Sequence, residues 1–142
     1  MKVSDDTYCI DANVILRYLT QDVAGQYDKA SVIMKAVENG EIAVFCDPVT
    51  LSEVVWALTK SYGLSGERIW NGLAPILKSD GFLVPDKARY IRALQLFAES
   101  IDHFGDACAC AAAMEKGKGR VFSFDRDLSK VEGVTRLESP KP

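Results

Sequence analysis

The chain predicts an α/β fold, a three-layer α/β/α sandwich around a mostly parallel central sheet. Short apolar runs of strand type alternate with longer segments whose apolar residues recur at helical spacing, and strands separated by helices pair in parallel. At 142 residues, 48% hydrophobic and 26% charged, the chain is one soluble domain able to bury a core without staples. We assign residues 1–138 to that domain and 139–142 to a polar tail.

The elements follow in order. Residues 7–10 form a short buried-type run and read as the first strand, followed by a helix over 13–19. A second helix over 26–38 carries Ala30, Ile33, Met34 and Val37 at i, i+3, i+4, i+7. Asn39-Gly40 ends it, because both residues accept a left-handed backbone. Residues 42–46 read as the second strand. Asp47-Pro48 then supplies an N-cap and a proline at the first helical position, opening a helix that runs to about residue 61. Ser65 caps a fourth helix, which Pro75 should kink. Residues 82–84 read as the third strand. A helix with Ala88, Ile91, Leu94, Gln95 and Ala98 comes next, then a turn over 102–105. An Ala-rich helix over 106–115 ends at Gly117 and Gly119. Residues 120–124 read as the fourth strand and 134–137 as a short fifth.

Bulk properties narrow the function. The N-terminal 11 residues hold no apolar core of a secretory signal, and the longest apolar stretch, 107–114, is far too short for a membrane span. The expected location is therefore cytoplasmic, with no membrane partner. The four cysteines include no Cys-x-x-Cys pair, so buried free thiols are expected rather than zinc. A net charge of −3 speaks against a general nucleic-acid-coating surface. It is compatible with a nuclease, whose metal neutralises phosphate locally.

Four acids stand out. Asp11 closes an apolar run and opens a helical one. Glu53 lies inside a helical pattern, Asp106 begins the small-residue helix, and Asp125 ends the run Val121-Phe122-Ser123-Phe124. Sites in α/β folds form outside the carboxyl ends of the strands, so these acids can converge there. Convergent carboxylates hold a hard divalent cation such as Mg²⁺ or Mn²⁺, which activates water and relieves charge in phosphodiester hydrolysis. Each acid also has a structural reading. Asp11 and Asp106 can cap helices, and Asp125 can form a polar turn. Glu53 lies off the apolar stripe of its helix, on a face with Val49, Trp56 and Lys60. Glu53 reads either as a solvated glutamate pairing weakly with a neighbouring cation or, if that face is partly covered as Val49 and Trp56 suggest, as a carboxylate that needs a metal or a basic partner. Asn13 and Ser123 each lie two residues from an acid and read either as supports for the site or as a helix cap and a backbone-satisfied hydroxyl.

The segments Ile10-Asp11-Ala12-Asn13-Val14-Ile15-Leu16, Ser52-Glu53-Val54, Phe104-Gly105-Asp106-Ala107 and Ser123-Phe124-Asp125-Arg126-Asp127-Leu128 resemble, in order and spacing, the four motifs of PIN-domain proteins. The closest likeness is to the VapC-type toxins of toxin–antitoxin pairs. The resemblance implies a PIN-like α/β/α fold and Mg²⁺- or Mn²⁺-dependent endoribonuclease activity. It also implies a homodimer and inhibition by a small cognate antitoxin. Asp11, Glu53, Asp106 and Asp125 would take the metal-binding and catalytic roles, and Asn13 and Ser123 supporting ones. Ser123 stands where threonine is common, which keeps the hydroxyl.

Arg17, Lys60 and Arg126 are the cations nearest in sequence to the acids and are candidate RNA-phosphate contacts. His103 reads as a loop histidine and Asp102 as a turn residue. Trp56 and Trp70 fit a core, a dimer face or an antitoxin groove. Two other classes compete: a PIN-like module that binds RNA or a partner without cutting, and an aspartate-based phosphotransfer or phosphatase protein. The latter fits less well, because the pair Asp5-Asp6 precedes the first strand and Asn13 stands where a phosphatase would want a second Asp.

Overall fold

A computed structural model describes residues 7–140. The pair Asp5-Asp6 and the last two residues of the polar tail lie outside the described residues. The elements are β1 (Thr7–Cys9), α1 (Ala12–Thr20), α2 (Ala24–Glu38), β2 (Ala43–Phe45), α3 (Pro48–Lys60), α4 (Gly66–Lys78), β3 (Phe82–Leu83), α5 (Lys87–Glu99), α6 (Phe104–Lys116), β4 (Arg120–Phe122), a 3-10 turn (Arg126–Lys130) and β5 (Thr135–Leu137).

The helix starts obey local chemistry. Asp47 caps α3, its Oδ1 accepting the Val49 amide at 2.8 Å, with Pro48 behind it. Ser65 caps α4 by accepting the Arg68 amide at 3.2 Å. Pro75 sits inside α4, which nevertheless continues to Lys78. At the end of α2, Gly40 takes the left-handed conformation (φ 76°) that a helix stop needs.

All strand pairing among the described residues is parallel, in an α/β arrangement with helical crossovers. β1, β2 and β3 form one sheet in that order, with Cys9 opposite Phe45 and Phe45 opposite Leu83. β4 and β5 form a second ladder, Phe122 opposite Leu137. The expected single sheet is thus drawn as two ladders. The buried-type reading of β1 also needs correction: Tyr8 is 53% exposed and Cys9 is exposed. An outer strand has only one covered neighbour, so its side chains are less enclosed than those of the middle strand, where Val44 is buried.

The core is one cluster fed by every layer. Ile15 of α1, Leu51 and Leu58 of α3, Leu73 and Leu77 of α4, Phe82 of β3, Leu94 of α5 and Ala107 of α6 are all essentially inaccessible. α3 packs on α1, α4 and α6, while α5 lies between α4 and α6. That central position of α3 determines which acids become neighbours. No helix of the described residues is long and apolar enough to cross a membrane.

Candidate functional site

The register fixes where the acids emerge. Cys9 and Phe45 are level in the sheet, so Asp11 and the start of α3 leave it at the same, carboxyl edge. Asp11 occupies the N-cap position of α1 (φ −92°, ψ 154°), yet its carboxylate caps nothing. Asp106 lies in the first turn of α6, where the helix dipole favours a negative charge, but His103 holds the cap position and no side chain closes it. For these two, the capping alternative is not what the side chains do. Glu53 projects from the second turn of α3, the helix that packs against both α1 and α6. The carboxylates of Asp11, Glu53 and Asp106 have no hydrogen-bond or ion-pair partner among the described residues.

Asp125 is different. It follows β4 and opens the 3-10 turn, its Oδ1 accepting the Asp127 amide at 2.9 Å. Its own amide donates to Ser123 Oγ at 3.0 Å. Here the polar-turn reading is real, and Ser123 acts on the backbone that carries the acid. Asn13 lines a cavity of about 460 Å³ between α1 and α2, together with Arg17, Gln26 and Lys29.

The face of α3 that carries Glu53 was expected to be partly covered. It is open: Glu53 is exposed, Val49 is 67% and Trp56 64% exposed. The stripe of Leu51, Val54, Val55 and Leu58 satisfies all of this helix's packing against the core, which leaves the opposite face to solvent. Glu53 therefore needs no buried partner. It lines a second cavity of about 460 Å³ with Trp56, Tyr90, Phe104 and Gly105, the residue before Asp106. Glu53 and the α6 start are thus brought to one cleft.

The cations divide. The Arg17 guanidinium is engaged, with Nε donating to Gln26 Oε1 at 2.8 Å, Nη1 donating to Tyr62 Oη at 3.3 Å, and Asp22 at 3.7 Å. Lys60 and Arg126 are exposed and make no ion pair among the described residues. His103 and Asp102 are exposed at the α6 start. Two thiols are buried as expected, Cys46 and Cys110, Cys108 is half-buried and all four are free. Burial, reinforced by the adjoining Asp47, pushes the Cys46 thiol up to about 12.

The donor set fits a hard cation in its chemistry: carboxylate, amide and hydroxyl oxygens, with no thiol or imidazole in the set. Among the described residues, no three His, Cys, Asp or Glu side chains stand close enough to cage a metal by themselves. Mg²⁺ asks for no such cage, since it keeps several waters and takes one or two carboxylates together with substrate phosphate.

The PIN domain family model matches residues 8–134, nearly the whole chain. The chain belongs to the PIN-domain family. PIN domains are generally nucleases that use divalent metal ions, and the six helices and parallel strands described here are those of a PIN-like α/β/α fold. No curated protein shows significant similarity to this PIN domain.

Proposed function

We propose that this PIN domain is a Mg²⁺- or Mn²⁺-dependent endoribonuclease of the VapC type, the toxin of a toxin–antitoxin pair. Asp11, Glu53, Asp106 and Asp125 are its metal-binding and catalytic residues, with Asn13 and Ser123 in support. In this reading it works in the cytoplasm as a homodimer and is held inactive by a small cognate antitoxin. The observation that carries the reading is that Asp11, Glu53 and Asp106 are spent on no cap and no ion pair, while their helices pack against one another through α3. Carboxylates drawn together around one phosphate would repel, and a bound cation would relieve that repulsion. When bound, the cation would supply an activated water and charge relief on the phosphate. The protein's part is to present the carboxylates at fixed positions and to hold the Asp125 loop through Ser123.

The test is cleavage of single-stranded RNA by the full chain with Mg²⁺, with Mn²⁺ and with excess chelator. Cleavage should require the metal, and Asp11→Asn and Asp106→Asn should abolish it while circular dichroism stays native. Cutting that persists in chelator or in both variants would overturn the assignment. RNA binding without any cutting would point to the non-cleaving module instead.

A further inference from the structure

Asp125 sits on a segment that packing does not hold. Phe124, Asp125, Arg126 and Asp127 are all exposed, and the buried anchor, Leu128, comes only after them. The Asp125 amide donates to Ser123 Oγ and the Asp127 amide to Asp125 Oδ1, but these bonds lie inside the segment and move with it. The grip from outside comes from β5. The Ser123 amide donates to the Leu137 carbonyl oxygen at 3.1 Å, which continues the ladder. The Arg136 guanidinium then reaches both ends of the segment. Its Nη1 donates to the Ser123 carbonyl oxygen at 2.8 Å, before the acid, and its Nε to Ser129 Oγ at 3.0 Å, in the 3-10 turn after it. Glu138 Oε2 accepts from the same Nη1 at 2.9 Å. The Arg136 side chain is only 16% exposed, so the group is set into the surface.

We propose that Arg136 is a positioning residue, which sets the bend that presents the Asp125 carboxylate to a divalent cation. This rests on the ribonuclease reading, in which Asp125 binds that cation. A guanidinium is a rigid planar fork, so two bonds from one plane fix the separation of Ser123 and Ser129, and with it the course of the chain between them. Lysine, a single point charge on a flexible stem, cannot hold both. Hydrogen bonds donated by a cation are the stronger kind, and Glu138 offsets the charge and orients the plane. Groups that orient a metal ligand without touching the metal typically change affinity by about 10–100-fold when removed. The sign separates this role from simple electrostatics. A positive charge near a cation site repels the metal, so losing it for that reason alone would tighten binding.

The experiment uses the full chain and Mn²⁺ alone, titrated by calorimetry, with amide hydrogen exchange followed by NMR. Arg136→Lys and Arg136→Ala should each weaken Mn²⁺ binding about tenfold. Both should speed exchange of the Asp125 and Asp127 amides while the core helices keep their rates. Arg136→Lys, which keeps the charge, carries the test even where Arg136→Ala fails to fold. Added to Asp125→Asn, Arg136→Lys should cause no further loss of affinity, because it acts through that carboxylate. Unchanged or tighter Mn²⁺ binding in Arg136→Lys, with binding weakened in Asp125→Asn, would overturn the positioning role alone. So would losses that add in full in the double variant, or exchange rates that do not move. Mn²⁺ binding unchanged in Asp125→Asn would instead sink the metal reading of Asp125 itself, and the proposal with it.

Discussion

The amide of Asp125 donates to the hydroxyl of Ser123 at 3.0 Å, so the loop carrying the fourth acid is tied to the end of its own strand. Ser123→Ala should loosen that tie. The expected loss is that of one net hydrogen bond, about 1 kcal/mol, or roughly fivefold in metal-dependent cleavage with the fold intact. Ser123→Thr keeps the hydroxyl and should restore activity. Equal activity in all three proteins would show that the tie contributes nothing.

Metal should stabilise the protein through the unpaired acids. At ten times its dissociation constant, Mn²⁺ or Mg²⁺ should contribute about 1.4 kcal/mol. In a domain of this size that raises Tm by about 4 °C. The rise should vanish in Asp11→Asn, and a thermal scan of the two proteins with and without metal decides the matter.

Asp22 links α1 to the end of α3: it accepts from Thr20 Oγ1 at 2.7 Å and from Tyr62 Oη at 2.8 Å. The Thr20 hydroxyl, then the Tyr62 hydroxyl, hold its carboxyl below the usual 3.8. A depressed folded-state pKa contributes stability above the unfolded value, and that stability is lost as pH falls through the folded one. Asp22→Asn should therefore lower Tm at pH 7, and the gap between the two proteins should close in acid, below the normal aspartate range. A gap that persists unchanged into strong acid would refute the linkage.

Thiol reactivity should separate the cysteines. Burial raises Cys46 to about 12 and Cys108 to about 11, and it raises Cys110 with help from Asp106. At pH 8 these three are protonated and poorly nucleophilic, while Cys9 is exposed. Iodoacetamide on the native protein should give a single early adduct at Cys9 by mass spectrometry. Comparable early labelling of Cys46 would contradict the packing of β2.

Gly119 enters β4 with φ 81°, and a Cβ there would collide with the Gly133 carbonyl oxygen. Its own carbonyl accepts the Thr135 amide at 2.7 Å, which starts the β4–β5 ladder. Gly119→Ala should cost more than about 1 kcal/mol, measured by urea unfolding, because both the backbone conformation and the space are wrong for a side chain.

What could be read from the sequence was local. Asp47-Pro48, Ser65 and Asn39-Gly40 each act within a few residues, so their caps and stops stand where the sequence puts them. The four acids fall where strands end or helices begin, or, for Glu53, in a helix interior, and the family match spans them all. The failures were non-local. Whether β1 is buried depends on which strand lies at the margin of the sheet. Whether the Glu53 face is covered depends on which neighbours α3 finds. Nor could the sequence show that the guanidinium of Arg17, a candidate phosphate contact, meets Tyr62, far along the chain. The 3-10 turn after Asp125 has too few residues to show a period, so only a polar turn was visible there.

The parallel pairing has a consequence for how the chain comes to be active. Thr7 pairs with Ala43 and Val44 with Phe82, so each partnership in the main sheet must close over two whole helices. Such non-local closures are slow and come late in folding. The last acid, Asp125, follows β4 and belongs to the separate β4–β5 ladder. The main sheet and the Asp125 segment are therefore separate closures, and the full set of acids is in place only when both are made.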